Sequence, residues 1–269
     1  MAGLFQVLWG QSEGSFKQAA VLNGTDDEPL IIPVDDRKYQ TENICTRPTA
    51  VDWDADGDLD LVVGNFAGSF YVFNGEGKGK FHSEPELLKS DNNEPLKIEG
   101  VHSDPFVIDW DGDGDLDLLS GSSNGGVQWA QNHAGEGQKR PVLKSFKTLI
   151  EPGQQVAYGS PLSEEELTGP ASSTRIWVDD VNSDGKLDIL VGDRVALLSP
   201  AEGISEAEYA KRQAKWQKEL NAAIAAMRDA KDDAEERKQA GKRYSELYGK
   251  RSEFATDERT GFVWLYLQE

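Results

Sequence analysis

Three short apolar runs recur along the chain: "DLVVGN" from Asp60, "DLLSGS" from Asp117 and "DILVGD" from Asp188. Each is too short for a helix, rich in branched residues and closed by a glycine, and so predicts a buried strand. A different period occupies Ser205 to Ser252. There Tyr209, Trp216, Leu220, Ile224 and Met227 recur at helical spacing, "DAKDD" interrupts, and Ala240, Tyr244, Leu247 and Tyr248 form a second stripe. This predicts a helical hairpin that buries its own aromatic stripe, opened by a capping box of Ser205 and Glu208.

The polar positions ahead of the three apolar runs share one spelling. "VDWDADGDLD" from Val51, "VIDWDGDGDLD" from Val107 and "VDDVNSDGKLD" from Val178 align with acidic or amide residues at positions 1, 3 and 5, glycine at 6 and aspartate at 9. The first copy supplies Asp52, Asp54, Asp56, Gly57 and Asp60, the second Asp109, Asp111, Asp113, Gly114 and Asp117, and the third Asp180, Asn182, Asp184, Gly185 and Asp188. The copies begin 57 and then 71 residues apart, and recurrence on this scale marks a repeat architecture.

Carboxylates packed this densely repel one another, and a hard cation that takes six to eight oxygens relieves the repulsion. Calcium is the expected ion, at three sites. Glycine at position 6 permits the sharp turn. Position 7 holds Asp58, Asp115 and Lys186. A lysine side chain cannot ligate a cation, so this position is expected to contribute its backbone carbonyl in every copy. Positions 2 and 8 (Trp53 and Leu59, Trp110 and Leu116, Val181 and Leu187) are expected to turn into a core. An EF-hand would need a glutamate at position 12 and a following helix. Val63, Ser120 and Val191 stand there instead, at the end of strand-like runs. A metal-free Asp-Gly hairpin turn accounts for one copy but poorly for three with the same position-9 aspartate.

These loops resemble those of FG-GAP (also called VCBS) repeats, which build the β-propeller of the integrin α-subunit type. The resemblance implies an all-β fold, a propeller of four-stranded blades whose calcium loop joins the first two strands, with interaction roles more often than catalysis. It also implies the ligand set at positions 1, 3, 5, 7 and 9. On that grammar "GLFQVLWG", "GSFYVFNG", "GGVQWAQN" and "GFVWLYLQ" are third strands. Residues 1–269 then form one propeller domain with blades at about 3–33 (two strands), 43–98, 101–150 and 173–269 (three strands), an incomplete ring. The helical hairpin, 203–259, is an insertion between the second and third strands of the last blade, as in similar bacterial members. The apolar end strands "LFQVLW" and "FVWLYL" carry no charged residue, so self-association through unpaired blade edges is expected.

Composition narrows the partners. With 48 acidic and 28 basic residues the formal charge is −20, which disfavours nucleic acid and anionic membranes. Three divalent ions would bring it to −14. The single cysteine, Cys45, excludes an intrachain disulfide. No apolar segment reaches the length of a membrane span. The first residues, "MAGLFQVLWGQSEG", do not read as a signal peptide, yet calcium loops suit a calcium-rich exterior, so an extracellular or periplasmic protein with its export signal upstream is expected.

Topology puts the turns "GNFAGS" and "GSSNGG" and the stretch from Glu151 to Thr174 opposite the metal loops, the face where a protein or carbohydrate ligand is expected. His102 and Asp104 lie there and form the one candidate acid–base pair; a loop histidine bonded to its neighbours is the simpler reading. His82 and His133 read as surface residues. No nucleophile motif or phosphate-cradling loop is present. A calcium-binding interaction or scaffold module is therefore expected, with a propeller lyase or hydrolase acting on an extracellular polymer as the alternative.

Overall fold

The computed structural model describes residues 3–34, 41–135, 140–154, 162–230 and 233–268. The chain, read from sequence as one domain, divides into two compact units. The first comprises residues 1–153, 169–193 and 262–269, and the second residues 154–168 and 194–261.

Among the described residues, the first unit contains four antiparallel sheets. Sheet I pairs β1 (Gln6–Val7) with β2 (Ala20–Val21). Sheet II runs β3 (Arg47–Val51), β4 (Asp60–Gly64), β5 (Phe70–Phe73) and β6 (Glu86–Leu87), each beside its successor. Sheet III repeats that order with β7 (Asp104–Ile108), β8 (Asp117–Gly121), β9 (Val127–Ala130) and β10 (Lys147–Ile150). Sheet IV has β11 (Arg175–Asp179), β12 (Asp188–Gly192) and β15 (Val263–Tyr266). The three apolar runs are thus strands β4, β8 and β12, and each acidic loop joins a first strand to a second.

Alternation along these strands builds the core, because successive side chains leave opposite faces of a sheet. Phe5, Leu30 and Ile32 pack with Val63, Phe73 and Phe81 between sheets I and II. Val62, Phe70 and Val72 meet Leu118, Ala130 and Leu143 between sheets II and III. Leu119, Val127 and Trp129 meet Val178, Ile189 and Val191 between sheets III and IV. The residue at position 11 of each repeat (Val62, Leu119) faces the following sheet, and its neighbours face the preceding one.

Two glycines permit the sheets to approach. A Cβ on Gly64 would stand 2.4 Å from the Ser103 carbonyl oxygen, and one on Gly121 2.2 Å from that of Thr174. Ser103 Oγ accepts from Asn65 N–H at 2.8 Å and donates to the Ser69 carbonyl at 2.8 Å. Thr174 Oγ1 repeats the bridge, accepting from Ser122 N–H at 2.8 Å and donating to the Gly126 carbonyl at 2.8 Å.

The position-9 aspartates are buried, and each spans two segments of its own sheet. Asp60 accepts from Trp53 N–H at 2.8 Å with Oδ2 and from Gly75 N–H at 2.6 Å with Oδ1. Asp117 accepts from Trp110 N–H at 3.1 Å and Asn132 N–H at 2.6 Å. Asp188 accepts from Val181 N–H at 3.1 Å and Gln268 N–H at 3.1 Å. In each copy the carboxylate ties the acidic loop to the exit of the third strand. Burial pushes the Asp117 carboxyl up to about 6, against the pull of its N–H donors.

Positions 2 and 8 depart from expectation. Trp53 is buried and Trp110 packs against the core between sheets III and IV, but Val181 is exposed, as is Leu59. Position 2 faces the following sheet, and among the described residues no sheet covers Val181 on that face of sheet IV. Leu59 belongs to the face of sheet II that meets sheet I, which has two strands among the described residues.

Most of the second unit, residues 194–261, lies in sequence between β12 and β15. Its strands β13 (Val195–Pro200) and β14 (Ala255–Thr260) pair over six residues and frame α1 (Glu206–Asp229) and α2 (Ala234–Lys250). The two strands extend beyond the 203–259 read as the insertion. Tyr209, Trp216, Leu220, Ala223, Leu247 and Phe254 form its core, and Trp216 Nε1 donates to the Leu247 carbonyl at 2.7 Å. Ile224 is exposed instead of buried: the apolar row continues from Leu220 to Ala223, leaving Ile224 at its margin. Half of the capping box forms, with Ser205 accepting from Glu208 N–H, while the Glu208 carboxylate binds Arg212 at 2.6 Å.

Asp117→Ala leaves two buried N–H groups without partners, at about 1–3 kcal/mol each. Urea unfolding should show a loss of about 2–6 kcal/mol, against less than about 1 kcal/mol for the exposed Asp91→Ala. Because Asp193 N–H donates to the Phe262 carbonyl at 3.0 Å, the chain re-enters sheet IV beside its exit. Replacing residues 194–261 with a short Gly/Ser turn should therefore remove the helical circular dichroism signal and keep the β-sheet signal.

Candidate metal centre

Each acidic loop is shaped by its own backbone N–H groups. At position 1, Asp52 accepts from Asp56 N–H at 3.0 Å and Gly57 N–H at 3.1 Å. Asp109 accepts from the N–H groups of Gly112, Asp113 and Gly114, at 2.8, 3.1 and 3.0 Å. Asp180 accepts from Asp184 and Gly185, at 3.0 and 2.9 Å. At position 5, Asp56, Asp113 and Asp184 each accept from the N–H two residues on, at 2.9–3.0 Å. Gly57, Gly114 and Gly185 have φ of 98°, 95° and 88°, a conformation costly for any side chain.

This fold gathers carboxylates. Ligand atoms of Asp52, Asp54 and Asp60 lie within 4.8 Å of one another, and so do those of Asp109, Asp111 and Asp113. In the first loop Asp54 Oδ1 is buried without a hydrogen-bond partner. Burial, together with the neighbouring Asp56 and Asp60 carboxylates, raises the Asp54 pKa. A buried acceptor facing like charges is a group that a cation would satisfy, and an all-oxygen donor set fits a hard divalent ion. In the second loop Asp111 Oδ2 accepts from Gln131 Nε2 at 2.6 Å. Gln131 lies directly after β9, and its only sequence signal is its place beyond the third strand.

The position-7 side chain of the second loop turns aside. Asp115 Oδ2 accepts from Gly135 N–H at 2.7 Å. The third loop relieves its own crowding. Asn182 Nδ2 donates to Asp184 Oδ2 at 3.0 Å, so an amide supplies the donor there. Backbone donation from Lys186 N–H and the Asn182 amide lower the Asp184 pKa.

At the opposite ends of the first strands stands a cluster that sequence reading did not find. Arg47, Asp104 and Arg175 open β3, β7 and β11. Asp104 Oδ1 lies 2.8 Å from an Arg175 nitrogen and 3.8 Å from Arg47 Nε. Burial raises the Asp104 pKa against both arginines. Arg47 also donates to the His102 carbonyl at 3.1 Å, while the His102 ring packs edge-on against Phe66. Asp104 is thus clamped by arginines, and the geometry does not present it as the partner of a histidine base.

Among the described residues, no helix is long and apolar enough to cross a membrane. Comparison with curated proteins and with solved structures finds no match. Comparison with protein families does, over residues 109–191, from the first aspartate of the second acidic loop to the strand after the third. That stretch contains sheet III from its loop onward and the first two strands of sheet IV, and the family it matches is described as an FG-GAP-like repeat.

Proposed function

We propose that this chain is a calcium-stabilised β-propeller module that works outside the cytoplasm as a binding or scaffold element. One observation carries the metal reading: the buried, unpartnered Oδ1 of Asp54, set among Asp52 and Asp60. Asp52, Asp54, Asp56 and Asp60 would hold the first ion, with the carbonyl of Asp58. Asp109, Asp111, Asp113 and Asp117 would hold the second, with the carbonyl of Asp115. Asp180, Asn182, Asp184, Asp188 and the Lys186 carbonyl would hold a third, weaker one. The bound ion supplies positive charge that cancels carboxylate repulsion. The side chains keep the loop turned, and the position-9 aspartate transmits that order to the third strand.

The propeller reading rests on repeated sheets that pack one against the next, and on the family likeness. The turns at Gly64–Ser69 and Gly121–Gly126 lie at the strand ends opposite the acidic loops and are the place we assign to a protein or carbohydrate ligand. The enzymatic alternative has less support, since Asp104 is bound by two arginines.

Calcium should raise the melting temperature and a chelator should lower it. At a hundredfold excess over Kd, one site adds about 2.7 kcal/mol. Titration calorimetry should resolve two tighter sites and one weaker one, because ligand charge tunes affinity. Asp54→Ala should abolish one of the tighter sites, and Asn182→Ala should alter only the weak one. A melting curve and a titration that are both indifferent to calcium would overturn the reading.

A further inference from the structure

The repeats give each sheet residue a counterpart, and the counterparts differ in one respect. Toward the following sheet, sheet II presents Phe70 and Val72, 0% and 2% exposed, and sheet III presents Val127 and Trp129, 0% and 9% exposed. These residues pair across their sheets with Gly64 and Val62, and with Gly121 and Leu119. In sheet IV the same pairing joins Gly192 to Val263 and Leu190 to Leu265. Yet Val263 is 72% exposed and Leu265 49%. Trp177, next to Leu190 in register, is 58% exposed. Among the described residues, this face of sheet IV therefore keeps the apolar residues of a sheet-to-sheet contact and lacks the contact.

Sheet I shows the converse. Toward the preceding sheet, sheet II uses Phe73 and Phe81, 0% and 7% exposed. Their counterparts are Leu8 and Phe16; Phe16 bridges Gly10 as Phe81 bridges Gly75. They are 53% and 64% exposed. Among the described residues, sheet IV thus has an uncovered forward face and sheet I an uncovered backward face. These are the two halves of the contact the chain makes three times internally.

We propose that a second copy of this chain supplies the missing half at each end, with sheet I of one copy packing on sheet IV of the next. Exposed apolar faces of this kind mark interaction sites. The match is also one of extent. β15, which carries the exposed Val263 and Leu265, is the third strand in the order of sheet IV, and sheet I consists of the corresponding third strand and its outer neighbour. The contact is between faces, not between strand edges. It is heterologous, so copies join head to tail in a closed ring or a longer series. At physiological ionic strength the screening length is about 8 Å, so the negative charge does not prevent close approach.

The test is mass in solution, measured by sedimentation from low to high micromolar protein with calcium present. The wild-type protein should rise from one chain to two or more. Leu265→Asp removes one face and Phe16→Asp the other, and each variant alone should stay at one chain. Mixed in equal amounts, they should recover a two-chain species and go no further, because one intact face remains on each. Both positions are exposed, and unchanged circular dichroism verifies folding; Val263→Asp and Leu8→Asp replace them if either variant misfolds. Wild-type protein that keeps one chain's mass throughout would overturn the proposal and leave these faces to a different polypeptide. Variants that associate like the wild type would overturn it in favour of edge pairing. Variants that stay apart when mixed would exclude the head-to-tail arrangement.

Discussion

A single carboxylate, repeated three times, holds the first unit to its pattern. Asp60, Asp117 and Asp188 each close a short circuit between an acidic loop and a strand end well over a dozen residues on, through backbone donors rather than side chains. Backbone donors are indifferent to what residue carries them, so the third strand can end in glycine, asparagine or glutamine without loss of the tie. A buried carboxylate is expensive unless fully engaged. Here both oxygens are used, and the loop and sheet cannot shift independently. The geometry of the loop is then a property of the sheet behind it, which is why the same residues come together in separate copies.

The two ends of each sheet solve opposite problems. At the loop end the difficulty is excess charge, met by backbone N–H groups and, in our reading, by a cation. At the other end it is space, met by Gly64 and Gly121 together with the hydroxyls of Ser103 and Thr174, which bond the next sheet's approach to the previous sheet's turn. The Arg47–Asp104–Arg175 series lies at that end too, so the first strands carry alternating charges across neighbouring sheets there and clustered negative charge at the other. Arg47 and Arg175 thereby do structural work at the strand ends away from the acidic loops.

Much of this was readable in the residues. The period of the acidic spelling located β4, β8 and β12, because a glycine-stopped apolar run has few other homes. Helical spacing located α1 and α2. What the sequence did not disclose depended on contacts between distant segments. The burial of Val181 and Leu59 was predicted from their repeat positions, but a side chain is covered only if the neighbouring sheet exists at that point. Strands β13 and β14 were missed because "VALLSP" and "ATDERT" share no common pattern; they are strands because they pair with each other. The orphaned oxygen of Asp54 was invisible for a related reason: its sequence neighbours match those of Asp111, and only packing separates them.

The stem formed by β13 and β14 has a consequence for how such chains diversify. Its two strands hold the ends of the 194–261 segment at the spacing of a strand pair, about 5 Å. The hairpin between β12 and β15 asks for the same spacing at Asp193 and Phe262. At that joint the host strands are closed by backbone pairing and by the Asp193 carboxylate, which accepts from Phe262 N–H at 2.8 Å. Any folded segment whose ends leave through paired antiparallel strands would satisfy that joint. The second-to-third strand turn of a repeat is, in this sense, a socket for a segment whose ends keep that spacing.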